Sequence, residues 1–234
     1  MERQERYRFR GAQLRWDHAR PPRRVGRIAL RARSHRIHLL PAAGGQFAIA
    51  LKTDGSLVVW GNNDKNQVST APTGTGFVAI DGGDFHGVAA KSDGTVVGWG
   101  DNTSGQANPP PGLSNVVAVS AGKNHSLALL RNGQVVGWGG NAAGQISIPS
   151  TAVNVVAIAA GRDCSLAVLA DGRVIRWGLT TFADFPSLPS SGAIAVASDN
   201  QNSIISLGNT GVLVSGTLLN GVNVSRTATR TPTP

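Results

Sequence analysis

Short apolar runs alternate with clusters of Gly, Asp, Asn and Pro along most of the chain, and this pattern recurs every 39 residues. The period is marked by four tryptophans, Trp60, Trp99, Trp138 and Trp177. The segments around them align without a gap, at residues 44–61, 83–100, 122–139 and 161–178. A fixed period of this length indicates a repeat fold in which each unit is one supersecondary element.

Each unit contains two apolar runs separated by a turn signal. The turn pairs are Asp54-Gly55, Asp93-Gly94, Asn132-Gly133 and Asp171-Gly172. Such a pair predicts a β-hairpin with a two-residue type I′ turn, in which both central residues have positive φ. A third apolar run begins at Phe77, Val116 and Val155. The stretch near Gln145 and Ile146 is a possible fourth strand.

Three or four short strands per 39 residues predict an all-β fold, a β-propeller whose blades are the repeats. Helical repeats fit poorly, because no glutamate follows Glu5 and the apolar runs are rich in Val and Gly and too short for helices. A parallel β-solenoid remains an alternative, although its coils are usually shorter.

A fifth copy, residues 200–217, is degenerate because Gly216 stands where the other copies have tryptophan. We therefore expect four full repeats plus one degenerate blade over residues 42–217, and a strand remnant with a Thr/Pro-rich linker over residues 218–234. These repeats are too few for seven blades, so the propeller is expected to be incomplete. It would close with five blades, associate with another chain through its open blade edges, or be a fragment.

The motif G-x-x-H-S-x-A-L, a turn pair and V-x-x-W-G-x-N-x-x-G-Q run whole from Gly122 to Gln145. This motif resembles the regulator of chromosome condensation repeat family. The short spacing is similar to bacterial-type repeats such as those of a β-lactamase-inhibiting propeller protein. The resemblance implies a propeller, commonly seven-bladed, whose loops bind other proteins. It warrants function only weakly, because one fold serves many functions.

Positions that stay fixed between copies are expected to build the blades. The tryptophan column is predicted to pack between neighbouring blades rather than to form a ligand platform. One column holds Phe47, His86, His125 and Cys164. It is predicted to be a semi-buried packing site, in which the histidines bond backbone groups of a neighbouring turn and Cys164 is a small buried hydrophobe.

No pattern of residues predicts a catalytic, cofactor or metal site. The two histidines lack the further converging ligands that zinc requires. The turn aspartates are explained by the hairpins, and the remaining aspartates are scattered over loops without an evident acid–base pair. Cys164 has no His and Asn partners nearby in sequence that would make it a nucleophile.

Positions that vary between copies are the candidates for binding. They lie in the loop before the histidine column and in the loop after the W-G pair, and such loops form an arc on one face of a propeller. The candidate partner-binding residues are Asp84, Phe85, Lys123, Asn124, Arg162, Asp163, Asp64 and Lys65. A mixed polar arc with an aromatic and an arginine suits a protein partner. Unconstrained drift of loop sequences is the alternative.

Charge is confined to the start of the chain. Residues 1–42 hold twelve arginines and three acidic residues, which accounts for the net charge of +9. The repeats are neutral, so no nucleic-acid partner is expected for them. Residues 1–41 lack a long apolar stretch, which predicts neither a signal peptide nor membrane insertion. This tail is expected to be a disordered basic arm, a transit-like presequence or a non-native segment; arginine without lysine favours the last.

These patterns together predict a non-catalytic protein-binding propeller without a cofactor, of bacterial type, located outside the cell or at the cell surface. One alternative is a carbohydrate-binding or polysaccharide-acting propeller. The other is a chromatin or nucleotide-exchange role, which the neutral repeats disfavour.

Overall fold

A computed structural model of the chain describes residues 8–9, 12–13, 40–179, 190–198, 202–206, 212–216 and 226–228. Within these residues all regular secondary structure is β-strand. Most of the predicted basic tail, residues 1–41, and most of the predicted linker, residues 218–234, lie outside the described residues.

The strands form five antiparallel sheets in chain order, preceded by a short pair of strands. The short pair is β1 (Arg8–Phe9) and β2 (Ala12–Gln13). The first two sheets are β3 (Leu40–Ala43), β4 (Phe47–Leu51) and β5 (Leu57–Gly61), then β6 (Phe77–Gly82), β7 (His86–Lys91) and β8 (Val96–Gly100). The next two are β9 (Val116–Ala121), β10 (His125–Leu130) and β11 (Val135–Gly139), then β12 (Val155–Ala160), β13 (Cys164–Leu169) and β14 (Val174–Gly178). The fifth is β15 (Ala195–Ser198), β16 (Asn202–Ser206), β17 (Val212–Gly216) and β18 (Arg226–Ala228).

Each sheet is one blade of a β-propeller. Within a blade the strands pair in sequence order as a meander. The first strands of successive blades, β3, β6, β9, β12 and β15, lie beside one another, so the blades are arranged around these inner strands. Apolar clusters fill the spaces between blades, for example Ile49 and Leu51 of the first blade against Phe77 and Trp99 of the second. The predicted all-β propeller of 39-residue blades, four full and one degenerate, is confirmed.

The hairpin turns differ from the type I′ prediction. At the first turn Gly55 has a φ of +75°, whereas Asp54 is not among the residues with positive φ. Lys52 N donates to Ser56 O and Gly55 N donates to Lys52 O, both at 2.9 Å, which makes a three-residue loop ending in a left-handed glycine. The Asp54 carboxylate accepts the Ser56 N–H at 2.9 Å. This side-chain bond stabilises the longer loop.

The possible fourth strand near Gln145 and Ile146 is wrong, because these residues form a turn. Side-chain oxygens accept the backbone N–H groups that would otherwise pair with a neighbouring strand. Gln145 Oε1 accepts the Ala143 N–H at 2.9 Å, and Asn141 Oδ1 accepts the Ile146 N–H at 3.0 Å. The Asn and Gln that recur after each W-G pair therefore fold a compact loop.

The fifth blade follows the fourth at a spacing of 38 residues. Cys164 pairs with Gly178 in the fourth blade, and Asn202 pairs with Gly216 in the fifth. Register therefore places Ser215, not Gly216, in the tryptophan column. The offset arises before the inner strand: Val155 N donates to Gly133 O and Ala193 N donates to Gly172 O, so Ala193 is the counterpart of Val155 and the missing residue lies between Gly172 and Ala193.

Candidate partner-binding surface

The meander brings the variable loops to one end of the propeller, here called the loop end. The loop between the first and second strands of a blade lies beside the loop that leaves its third strand. Asp101 N donates to Phe85 O at 2.9 Å, Gly140 N to Asn124 O at 2.7 Å, and Leu179 N to Asp163 O at 2.8 Å. The opposite end, here called the hairpin end, carries the Asp-Gly and Asn-Gly turns.

All eight predicted partner-binding residues lie at the loop end. Three of their side chains are exposed and five are half-buried. The exposed residues are Asp64, Lys65 and Arg162, and the half-buried residues are Asp84, Phe85, Lys123, Asn124 and Asp163. Neighbouring blades are joined there, since Lys123 N donates to Arg162 O at 3.3 Å. The loop end is therefore a continuous surface.

Three of these side chains, Arg162, Asp163 and Asp64, are held by local bonds. Arg162 Nε lies 3.2 Å from Asp163 Oδ2 in a partly exposed ion pair. Asp64 Oδ2 accepts Asn62 Nδ2 at 2.7 Å. The charges of both signs at this end give a mixed polar surface on a rigid scaffold.

The histidine column has a different environment from the one predicted. His86 Nε2 lies 2.9 Å from Ser126 Oγ of the next blade. Ser126 Oγ donates to the Gln106 carbonyl at 2.8 Å, and the Trp138 indole donates to the same carbonyl at 2.9 Å. The prediction that the histidines bond backbone groups is therefore wrong, because Nε2 of the imidazole is hydrogen-bonded to a serine hydroxyl of the neighbouring blade. Both His86 and His125 are fully buried, not semi-buried.

The same bonds recur at the next blade boundary. His125 Nε2 lies 2.9 Å from Ser165 Oγ, and both Ser165 Oγ and the Trp177 indole donate to the Gln145 carbonyl at 2.8 Å. The predicted packing of the tryptophan column between blades is confirmed at Trp99, Trp138 and Trp177, which are 4% to 5% exposed.

These contacts fix the tautomer of both histidines. A serine hydroxyl has one proton, which goes to the glutamine carbonyl, so Nε2 carries the imidazole proton. The Nδ1 atoms of His86 and His125 are then acceptors, and neither has a hydrogen-bond partner. Burial lowers the pKa of each imidazole from 6.5 to about 4. Neutral histidine is a blade-joining residue here.

Two members of these columns depart from the pattern. Cys164 is half-buried, not buried as predicted. By register, Asn202 takes the place of Cys164 in the fifth blade and Ser203 takes the place of Ser165. Trp60 is partly exposed, unlike the later tryptophans. The reason is position: the described residues contain no blade before the one that carries Trp60.

Asp81 lies on the inner strand β6, and its carboxylate is bonded to the next inner strand. Its Oδ2 accepts Ser120 Oγ at 2.8 Å and Ala121 N at 2.9 Å, and Ser120 Oγ in turn accepts Ala160 N at 3.0 Å. Burial raises the pKa of Asp81, against the hydrogen bonds that stabilise its charged form. These bonds join the inner strands of three blades, so the arrangement is that of a structural link.

The hairpin end carries different features. A pocket of about 300 Å³ is lined by Asn115, Leu130, Arg131 and Asn132.

The three bulge residues of the inner strands, Val78, Val117 and Val156, are 40% to 52% exposed at the hairpin end. The turn aspartates have a lowered pKa because the residue two positions on donates to each carboxylate.

Within the described segments, no group of three or more His, Cys, Asp and Glu side chains is placed to hold a metal ion. In the same part of the chain, no helix has the length and apolar character needed to cross a membrane.

The sequence prediction missed the serine column and Asp81. The signal was present in adjacent copies: His86 and His125 are followed one blade later by Ser126 and Ser165, whereas Phe47 is followed by Gly87. A Cβ added at Gly87 would overlap the Trp99 ring. Histidine is therefore followed by serine at two boundaries, and phenylalanine is followed by glycine at one.

Comparison with known proteins identifies the repeat. Residues 42–67, 77–106 and 116–145 match the family model of the Regulator of chromosome condensation (RCC1) repeat. Each matched segment begins in the first strand of one of the first three blades and ends in the loop that follows its third strand. No curated protein matches the chain by sequence at a significant level.

Solved structures share the fold. Prp20p from Saccharomyces cerevisiae matches with a TM-score of 0.62 at 19% identity, over 76% of this chain and 57% of that one. Human WBSCR16 matches with a TM-score of 0.64 at 20% identity, over 80% and 64%. The CRINKLY ectodomain of the Arabidopsis thaliana receptor kinase ACR4 matches with a TM-score of 0.61 at 19% identity, over 81% and 66%. The chain spans less than two thirds of the length of each.

Proposed function

We propose that this chain, a member of the regulator of chromosome condensation repeat family, is a non-catalytic propeller that binds a protein partner through its loop end. One observation carries the proposal: fixed and variable positions are separated in space. The repeated His, Ser, Trp and Gln groups are buried between blades, whereas the variable residues converge on the loop end. A scaffold that keeps its interior and varies one face is typical of a binding module.

The character of the loop end supports a protein partner. Phe85 supplies a half-buried aromatic, Arg162 an exposed guanidinium, and Asp64, Lys65 and Lys123 supply charges of both signs. Aromatic and arginine side chains are the residues that most often dominate protein interfaces. One structural relative, Prp20p, is described with its binding to Gsp1p and histones. Protein binding by a structural relative is consistent with a protein partner for this chain.

The alternatives lack a supporting observation. A carbohydrate site would use exposed rings, but Trp99, Trp138 and Trp177 are buried and Trp60 is only partly exposed. Residues 43–234 have no net charge, which argues against a chromatin role for the repeats. We also propose a bacterial, extracellular or cell-surface location, in line with the Thr/Pro-rich residues 225–234. Protease accessibility of the chain on intact cells tests that location.

The test of the function is quantitative affinity capture with the full chain and matched charge reversals. Lys123→Glu and Arg162→Glu change the loop end, and Lys52→Glu and Arg131→Glu make the same change at the hairpin end. The proposal expects a partner whose recovery falls at least tenfold in the first pair and less than twofold in the second. A partner whose recovery is unaffected by the loop-end pair contradicts it.

A further inference from the structure

The exposed apolar side chains are concentrated at the hairpin end. Within the described residues, the large hydrophobic side chains that are exposed are Val78, Val117, Val153, Val156 and Ile194. Each of them lies within two residues of the start of an inner strand. These strand starts are bonded to the hairpin of the preceding blade; for example, Val116 N donates to Gly94 O at 3.1 Å.

Four of these side chains occupy one column of the repeat. The extra residues of three equivalent bulges are Val78, Val117 and Val156. Ile194 takes the same place in the fifth blade, because Ala193 is the counterpart of Val155. Neighbouring inner strands are in contact, so the four side chains form an arc, here called the aliphatic arc.

Blade packing does not explain the aliphatic arc. The three valines are 40% to 52% exposed and Ile194 is 61% exposed, so much of each side chain stays in water. The residue before each bulge, such as Phe77 or Val116, is buried and already packs between blades. Bulges re-aim side chains and are common beside functional sites. A row of exposed apolar side chains with polar neighbours is typical of an interaction surface.

The hairpins beside the arc differ in charge. Three of the four turns carry a cation and a carboxylate, which are Lys52 with Asp54, Lys91 with Asp93 and Arg173 with Asp171. The third turn has Arg131, but Asn132 takes the place of the aspartate. Arg131 is exposed, and its guanidinium makes no ion pair within the part of the chain that the structure describes. This turn therefore has an uncompensated positive charge.

The same turn lines the pocket at the hairpin end. Its lining residues are Asn115, Leu130, Arg131 and Asn132. Leu130 is half-buried and gives the pocket an apolar wall. The Arg131 guanidinium supplies a fork of N–H donors that matches the two oxygens of a carboxylate.

The position of this turn places the pocket inside the aliphatic arc. Arg131 N donates to Asn115 O at 2.9 Å, just before the inner strand of the third blade. Gly133 O accepts Val155 N at 3.0 Å, at the start of the inner strand of the fourth blade. The third hairpin therefore lies between two members of the arc, which bring apolar surface to both sides of the cation.

We propose that the aliphatic arc and this pocket bind an extended peptide segment of a partner protein, in which a carboxylate is flanked by aliphatic side chains. The carboxylate pairs with Arg131, and the aliphatic side chains cover Val117 and Val156. Charge complementarity selects an acidic segment, because Arg131 is the cation of these turns that lacks a carboxylate on its own turn. This site is distinct from the loop end, so the inference does not depend on the proposed function.

Other occupants fit less well. Residues 1–39 join the first blade at the hairpin end, where Leu40 pairs with Leu51. They carry twelve arginines and three acidic residues, so they would bring like charge to Arg131. A stable interface with a second folded chain buries about 800 Å² on each partner, which is far more than four half-exposed side chains offer. A short segment matches the size of the site.

The test uses the full chain and two synthetic peptides that differ only in one charge. One is acetyl-Leu-Val-Asp-Val-Leu-amide, and the matched peptide has Asn in place of Asp. A titration followed by proton–nitrogen NMR maps the site and gives the Kd, which is expected to be on the order of 0.1–1 mM. A segment held this weakly is not retained in affinity capture, so it is not the partner proposed for the loop end.

The Asp peptide is expected to shift the backbone amides of Gly133 and Val156 and to leave those of Phe85 and Asn124 unchanged. The Asn peptide is expected to bind at least threefold more weakly. Because both peptides are tested on the unchanged chain, this comparison does not depend on the folding of any variant.

Variants then separate the charge from the apolar surface. Arg131→Gln is expected to raise the Kd of the Asp peptide at least threefold and to leave that of the Asn peptide unchanged. Asn132→Asp, which restores the residue of the other turns, is expected to have the same effect. The matched control is Arg173→Gln, expected to change the Kd less than twofold because Arg173 is already paired with Asp171 at 2.8 Å. Val156→Thr is expected to weaken both peptides at least threefold.

Several results would overturn the proposal. They are the absence of shifts at a tenfold excess of peptide over the expected Kd, shifts confined to the loop end, equal Kd values for the two peptides, and an Arg131→Gln chain that binds the Asp peptide unchanged. Sedimentation is expected to give one chain per particle. A dimer that Val156→Thr dissociates would make a second copy the occupant and would overturn the proposal too.

Discussion

His86 Nε2 and Ser126 Oγ lie 2.9 Å apart across the boundary between two blades, and both side chains are fully buried. The sequence separation of 40 residues makes this contact a bond between repeats, not within one. It determines the tautomer of the imidazole and links it to the carbonyl that also receives the Trp138 indole.

Removing the hydroxyl tests this bond. Ser126→Ala leaves the His86 Nε2–H buried without an acceptor, so the free energy of unfolding is expected to fall by about 1–3 kcal/mol. Urea denaturation of the full chain measures it. The control is Ser104→Ala, because Ser104 is exposed and its expected change is within about 0.5 kcal/mol. Equal effects of the two changes would mean that the bond contributes nothing.

The paired columns predict energetic coupling at the next boundary. Ser165→Gly alone orphans the His125 Nε2–H, and His125→Phe alone crowds Ser165. The double variant reproduces the natural pair Phe47 and Gly87, so its cost is expected to be lower than the sum of the single costs by roughly 1 kcal/mol or more. A double-mutant cycle by denaturant unfolding gives the coupling. Simple additivity would show that the columns are independent.

Stability is expected to decrease as the pH falls from about 6.5 to 4, because two buried histidines bind protons less readily in the folded chain than in the unfolded chain. The folded chain holds the pKa of His86 and His125 at about 4, and the unfolded chain binds protons near 6.5. Stability is therefore fully present above pH 6.5 and is lost as the pH falls to 4, by up to roughly 3 kcal/mol per histidine. The His125→Phe and Ser165→Gly double variant is expected to lose about half as much across this range. A profile that the double variant leaves unchanged would assign the loss to other groups.

Gly83, three positions before His86, is expected not to tolerate a side chain. A Cβ at Gly83 would overlap the Gly122 carbonyl and lie 2.6 Å from His86 Nδ1. Because a backbone carbonyl cannot yield, Gly83→Ala is expected to lower the free energy of unfolding by about 1–3 kcal/mol. Gly140→Ala is the milder comparison, since its Cβ would lie 3.1 Å from Asn124 O, a tight contact but not an overlap. Thermal unfolding compares them, and a Gly83→Ala chain as stable as the Gly140→Ala chain would contradict the packing.

The sequence was sufficient to predict the blades but not the hydrogen bonds between neighbouring blades. Trp60, Trp99 and Trp138 gave the period directly, because every blade needs the same ring at the same place. The contact between His86 and Ser126 joins different copies, so comparing one column at a time could not reveal it. The hairpin loop was misassigned because the Asp54 carboxylate stabilises a three-residue loop in place of the two-residue turn. The fifth blade is shifted by one residue because the chain between Gly172 and Ala193 is one residue shorter than the equivalent stretch from Gly133 to Val155.

The central claim is that the propeller binds its partner with the loop end. Hydrogen exchange of the full chain, with and without the partner recovered by affinity capture, tests it most directly. The account predicts slower exchange in peptides around Phe85, Asn124 and Asp163 and no change at Gly94 and Gly133. Protection at the hairpin turns and beside the exposed Val78, Val117 and Val156, with none at the variable loops, would contradict it.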